Sequence, residues 1–258
     1  RDDIPVITHN HEFHGSAVRG DDGAFLNGEH PRVASLTIAE IERFDIGRLN
    51  ADTEYGRRFP DQAQMEGVRV PRLGELLHLV SQPRYATACL MLELKSDPDF
   101  AQDGAVRERI VSVICRDVRE AKLADRTLLH SFDWALLAEC RRQAPDMPLS
   151  FLTQLQENEH DVGEDSSILV TPDFSKPDMS VPDEVRKAGG SLWCPHFTEL
   201  GADDLAHARE LGLAVAAWTV NEPDDIEAMI DLRVDAIVTD YPGRVQQRLS
   251  ERGFRWRR

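Results

Sequence analysis

The stretch Ala88-Cys89-Leu90-Met91-Leu92-Glu93-Leu94-Lys95-Ser96-Asp97-Pro98 runs apolar and then ends on an acid, a spacer and a base. An apolar run of this length suits a strand buried on both faces, the condition of a parallel sheet covered by helices. In a strand Glu93 and Lys95, two residues apart, point to the same side. A carboxylate and an ammonium placed that way can bind a divalent cation and a phosphate oxygen together. A buried ion pair or a solvated strand end is the plainer use of the same residues.

The chain beyond Pro98 sets the fold class. A helical stripe over about 104–123 (Val106, Ile110, Val113, Ile114, Val118) precedes a strand over Thr127–Phe132, and a helix over Trp134–Gln143 precedes a strand over Met147–Leu152. The pattern resumes with a short helix at Asp183–Ala188 and Gly189-Gly190, then a strand over Ser191–Cys194. Helix Ala202–Leu211, strand Ala214–Val220, helix Asp224–Leu232 and strand Asp235–Thr239 complete it, and a last helix runs to about Arg252. Strands alternating with helices predict an α/β fold with a parallel sheet. The polar interval Thr153–Pro182, with Asp161, Glu164, Asp165, Asp173 and Asp178, reads as an exposed connection, and the basic tail Arg252–Arg258 as a loose end.

Upstream, Ile4–Thr8 reads as a short strand that delivers His9-Asn10-His11-Glu12-Phe13-His14 into a loop. Three histidines in six residues form the densest cluster of titratable nitrogen in the chain. His9, nearest the strand end, is favoured as a general acid or base because imidazole titrates near neutrality. His11 and His14 are assigned to the loop. From Gly15 to Pro71 the alternation is suspended; this reads as an excursion inserted on a single domain, with too few apolar residues for a core of its own. Within it Thr37 and Glu40 make a capping box for a helix from Ile38. Pro71 then opens a helix with Leu73, Leu76, Leu77 and Val80 on one face.

The chain's 258 residues fit one large α/β domain. A formal net charge of −16 argues against partners that are polyanions, whether nucleic acid or an anionic membrane surface. A small anionic substrate would need a local cation or metal. No apolar run is long enough to span a membrane and no signal-like segment opens the chain, although Arg1 leaves room for a processed or missing leader. Cys89, Cys115, Cys140 and Cys194 are dispersed and predict small buried side chains, not disulfides or metal ligands.

Five segments in order, Pro5–Asn10, Leu92–Lys95, His130–Asp133, Trp218–Asn221 and Val234–Pro242, resemble the glycerophosphodiester phosphodiesterase family. The resemblance implies a (β/α)8 TIM barrel that hydrolyses glycerophosphodiesters to glycerol 3-phosphate and an alcohol, with a calcium or magnesium ion in the site. It makes His9 one of two catalytic histidines, Glu93 a metal ligand and Lys95 a phosphate-binding residue, with Trp218 lining the substrate mouth. Only six barrel strands can be counted, so the first two, which would carry the second histidine, an arginine and two metal carboxylates, are expected to be missing and the chain alone inactive. Asn10 stands where the family prefers Asp, and Arg233 where it prefers Gly. Two alternatives accompany this reading. One is an amidohydrolase-type zinc site from His9, His11, His130, His196 and Asp240; the other is a non-catalytic barrel remnant.

Overall fold

Polar side chains that reach the backbone organise the first third of the chain, and apolar strands organise the rest. The computed structural model describes residues 1–28, 30–97, 102–155, 172, 174 and 179–255. It divides the chain into two compact units. One is built from Arg1–Cys89 and Lys95–Arg126, the other from Leu90–Leu94 and the described parts of Thr127–Asn158 and Leu169–Arg258. The acidic residues expected in the exposed connection (Asp161, Glu164, Asp165, Asp173, Asp178) and the last three residues of the basic tail lie outside the described residues.

The first unit contains α1 (Ile38–Ile41), α2 (Glu54–Arg58), α3 (Leu73–Val80) and α4 (Gly104–Glu120). The capping box opens α1 as the sequence predicts: Thr37 Oγ1 accepts from Glu40 N at 3.3 Å and Glu40 Oε2 accepts from Thr37 N at 2.7 Å. Helix α3 buries Leu73, Leu77 and Val80, and α4 buries Val111, Cys115 and Val118 beneath an Asp103 cap.

One expectation fails in this unit. Ile4–Thr8 is not a strand but makes one antiparallel bridge, Val6 to Arg72. Its bonds are Ile7 N to Pro71 O and Leu73 N to Pro5 O, each 2.8 Å, and the missing N–H groups of Pro5 and Pro71 stop the ladder from extending. The excursion contributes three residues to a small apolar cluster that Phe13, from the loop before it, completes. Phe13, Val18, Ile41 and Val70 are buried together, with Leu26, Val33, Phe44 and Ile46 packed against them.

A polar clasp completes the unit. Arg19, only 3% exposed, donates through Nη2 to Asp45 Oδ2 at 2.7 Å and to Met65 O at 3.2 Å. Asp45 also accepts from the backbone N–H groups of Gly47, Gly67 and Val68. Burial pushes the Asp45 carboxyl up, but the Gly47 and Gly67 bonds, Arg19 and the Val68 bond together hold it below its ordinary value.

The second unit is a six-stranded parallel sheet in sequential order. Its strands are β1 (Leu90–Glu93), β2 (Thr127–Ser131), β3 (Leu149–Thr153), β4 (Leu192–Pro195), β5 (Ala214–Ala217) and β6 (Ala236–Ile237). Its helices are α5 (Trp134–Gln143), α6 (Val181–Lys187), α7 (Ala202–Glu210), α8 (Pro223–Leu232) and α9 (Pro242–Glu251). Burial on both faces describes β3, whose every residue is buried, and not β1, whose residues alternate between half-buried and exposed. Among the described residues β1 pairs only with β2 and β6 only with β5, so both are edge strands. The apolar composition of β1 is that of an interior strand, but its position here is not.

Gly189 takes a positive φ of 90° after α6, and a Cβ on Gly190 would meet Val185 Cγ1 at 2.5 Å and Phe151 Cδ2 at 2.9 Å. The paired glycines therefore let the chain turn into β4 beneath the core. Cys115, Cys140 and Cys194 are buried free thiols as expected, but Cys89, one residue before the edge strand, is exposed.

Candidate active site

In the second unit the C-terminal strand ends carry the residues of interest. Glu93 closes β1 and is exposed; its register partner on β2 is His130, whose own partner on β3 is Ser150. In-register residues share a face, so all three side chains leave the same side of the sheet. His130 is buried, and its Nδ1 lies 2.7 Å from Ser150 Oγ. One layer further on, Phe132, Leu152, Cys194 and Ala216 form a buried cluster against which Trp218 packs. Trp218 meets Phe132 edge-on at 5.2 Å and His196 at 5.0 Å, and its Nε1 donates to Cys194 O at 3.0 Å. Trp218 is thus a fixed, half-buried aromatic wall. His196, between β4 and the short 3₁₀ turn Phe197–Glu199, is 8% exposed, with Nδ1 at 2.8 Å from Thr198 Oγ1. Burial pushes the Cys194 thiol well up, and the Glu93 charge adds to the shift, so this sulfur is no nucleophile.

Several residues of the matching segments hold the strand ends together. Ser131 Oγ donates to Leu94 O at 2.7 Å and accepts from Asp133 N at 2.9 Å. The Asp133 carboxylate caps α5 by accepting from Ala135 N and Leu136 N at 2.9 and 3.0 Å. Asn221 Oδ1 accepts from Thr239 Oγ1 at 3.1 Å and Asp240 N at 2.9 Å, while its Nδ2 donates to Asp240 Oδ2 at 2.7 Å. Asp240 is therefore part of a strand-end network.

The first unit holds His9 and Lys95. His9 is exposed, and its Nδ1 lies 2.6 Å from Asn10 Oδ1. With the amide oxygen accepting, the neutral ring keeps its proton on Nδ1 and presents Nε2 as the basic nitrogen. Strand β1 ends at Glu93 and the backbone bond that extends it, Leu94 N to His130 O, is the last one, so Lys95 lies beyond the strand and is half-buried. A residue that sequence reasoning missed links the loops around His9 and Lys95. Arg32 Nη2 donates to Asp97 Oδ1 at 2.8 Å, and Arg32 Nε lies 3.8 Å from Glu12 Oε1. No local pattern marks Arg32, because its partners are far away in sequence.

One set of three donors among the described residues is grouped closely enough to hold a metal ion, namely Glu12, His14 and His30. Of the histidines in the amidohydrolase reading, His130 and His196 in the second unit lie against hydroxyls, and His9 in the first lies against Asn10.

With this geometry in view, residues 1–244 match the model of the glycerophosphoryl diester phosphodiesterase family. The chain belongs to that family. A glycerophosphodiester phosphodiesterase of Caldanaerobacter subterraneus subsp. tengcongensis is 23% identical over 210 residues, which cover 81% of this chain and 70% of that protein. A crystal structure from Silicibacter pomeroyi, described as a glycerophosphoryl diester phosphodiesterase, superposes with a TM-score of 0.90 at 47% identity over 98% of this chain and 81% of that one. An Oleispira antarctica phosphodiesterase, solved with its product sn-glycerol-3-phosphate, shares the fold at a TM-score of 0.67 and 17% identity, over 96% and 80% of the two chains. This member of the family is an enzyme of the phosphoric diester hydrolase class with a parallel α/β sheet of the barrel type. No helix among the described residues is long and apolar enough to cross a membrane.

Proposed function

We propose that this chain is part of an enzyme that hydrolyses glycerophosphodiesters to glycerol 3-phosphate and an alcohol. The family match over residues 1–244 carries this reading, and the product found with the Oleispira antarctica relative agrees with it. On a protein of net charge −16 an anionic diester needs local positive charge, and Lys95 supplies it to the phosphate oxygens. The half-buried indole of Trp218 forms one wall of the substrate mouth. The glycerol hydroxyl beside the phosphate attacks phosphorus, the bond to the head-group oxygen breaks, and water then opens the cyclic phosphate. The second catalytic histidine takes the proton of the attacking hydroxyl, and His9, entering the step with both ring nitrogens protonated, delivers its Nε2 proton to the departing alkoxide while Asn10 accepts from Nδ1. Because Asn10 is neutral, it orients the ring without adding a charge that would favour the imidazolium.

Calcium prefers six to eight oxygen ligands and magnesium an octahedral set. Glu93 offers one carboxylate and belongs to no three-donor group among the described residues. We assign Glu93 as one ligand of a calcium or magnesium ion, which when bound would polarise the phosphoryl group.

The two edge strands point the same way. A closed (β/α)8 barrel has eight strands, and an open parallel edge is exposed to wrong pairing. We propose that two further strands close the sheet between β6 and β1 and bring the second histidine, the arginine and the remaining carboxylates. Both units would then belong to one barrel domain, since the chain passes between them at each end of β1 and again before β2. The test is glycerol 3-phosphate release from glycerophosphocholine, with and without a chelator, by the 258-residue chain and by a form that includes the two strands. Chelator-sensitive release by the longer form alone is expected, with metal dependence lost in Glu93→Ala. Robust turnover by the shorter chain would overturn the eight-strand account.

A further inference from the structure

We propose that Glu12, His14 and His30 form a transition-metal site, of the kind that takes zinc, that staples the loop after His9 to the segment opposite it. Glu93 is not one of the three donors, and the site does not depend on the proposed activity.

The backbone builds the arrangement. Phe13 N donates to Pro31 O and Val33 N to His11 O, each at 2.9 Å, and Glu12 bridges Arg32 in antiparallel fashion. Extended residues alternate sides. Phe13 turns into the apolar cluster with Val18, Ile41 and Val70, which leaves Glu12 and His14 on the opposite side. Across the pairing His30 meets His14 with ring centroids 4.3 Å apart. One ligand atom from each of Glu12, His14 and His30 lies within 4.8 Å of the other two.

The donor chemistry selects the ion. Two imidazole nitrogens and one carboxylate oxygen suit zinc and its neighbours, whereas calcium and magnesium favour oxygen-rich sets. Zinc bonds of about 2.0–2.2 Å place tetrahedral ligands roughly 3.4 Å apart, so small side-chain rotations close the observed spacing. Three protein ligands leave a fourth position for water, and exposed His30 opens that position to solvent. Arg32 Nε and His11 Nε2, each 3.8 Å from Glu12 Oε1, are the charged and titratable neighbours that hold the carboxylate. None of the three proposed ligands is among His9, Glu93, Lys95 and Trp218.

Zinc titration of the chelator-stripped chain in excess magnesium tests the site, with cobalt absorption as a second readout. Magnesium saturates an oxygen-rich site, so zinc or cobalt reports on the nitrogen donors. We expect one equivalent of zinc, a visible cobalt band of low symmetry, and a rise in the thermal midpoint on zinc addition. His14→Ala and His30→Ala should each weaken binding by more than about 100-fold, beyond the usual cost of losing an outer-shell partner. Glu12→Gln should weaken it less. His30 is exposed, so its variant folds even if His14→Ala does not. Absence of saturable zinc binding, or one-equivalent binding that survives both histidine variants, overturns the proposal. Loss of phosphodiesterase activity has no bearing on either outcome.

Discussion

The sheet-bearing unit and the segment from Arg1 to Cys89 are held together by different chemistry. In the sheet, Leu129, Leu149, Phe151, Trp193 and Val215 are buried to within a few per cent, and polar groups act mainly as helix caps and strand-end ties. In the other region the buried apolar side chains are a four-residue cluster and one face of α3, and order depends also on charged side chains reaching distant backbone, as Arg19 and Asp45 do. A region built on burial tolerates changes of pH and salt, whereas one built on charge must keep its partners ionised. The loop that carries His9 belongs to the second kind.

Phe151→Ala should break the apolar side of this contrast most severely, costing about 3–5 kcal/mol of stability in denaturant unfolding, because the ring is 1% exposed and packs edge-on against Trp134 at 4.7 Å. Asp45→Ala should cost about 3 kcal/mol, nearly as much, by leaving the buried Arg19 guanidinium only Met65 O and the longer 3.5 Å contact with Glu66. The wild-type contribution of Asp45 should also depend on pH in a defined direction. Its folded carboxyl titrates below the ordinary 3.8, so the contribution is complete above that value and is lost as pH falls through the lower folded value. Acid unfolding followed by hydrogen exchange should therefore release the amides of Gly47 and Gly67 before those of β3.

Asp133→Ala should cost about 1–2 kcal/mol, the usual loss for an N-cap, and Asp133→Asn should recover most of it. The smallest effect concerns an exposed pair in the sheet-bearing unit. The hydrogen bond from His207 to Asp183, 2.8 Å long, raises the imidazole above 6.5 and lowers the carboxyl below 3.8. The histidine contribution is present below 6.5 and fades as pH rises through the raised value. The carboxylate contribution is present above 3.8 and fades as pH falls through the lowered one. His207→Gln should therefore flatten the pH dependence of the thermal midpoint at both ends of that window and leave it nearly unchanged at alkaline pH.

These two kinds of order also explain what the sequence discloses. Periodic burial is a local signal: helix α5 occupies Trp134–Gln143 as the spacing predicts, and the Thr37/Glu40 cap lies where its three-residue interval puts it. Long-range polar pairing leaves no such trace. Arg19 finds Asp45 across 26 residues and Arg32 finds Asp97 across 65. Strand position is equally hidden, because β1 has the composition of an interior strand and the exposure of an edge. The segment around Ile4 looks like a strand by composition, yet its prolines restrict it to one bridge. At the candidate site the residue types at Glu93, His9 and Trp218 were legible. The burial of His196, the clasp made by Arg32 and the partnership of His14 with His30 required the third dimension.

The most direct measurement of the central claim is steady-state release of glycerol 3-phosphate by the form with the two proposed strands and its His9→Ala variant, with unfolding midpoints recorded for both. A proton donor at an exposed loop position predicts a fall in kcat of about 10²–10⁴-fold, little change in KM and an unaltered midpoint. Undiminished kcat in the variant would contradict the assignment of His9 and, with it, the placement of the reaction in this loop.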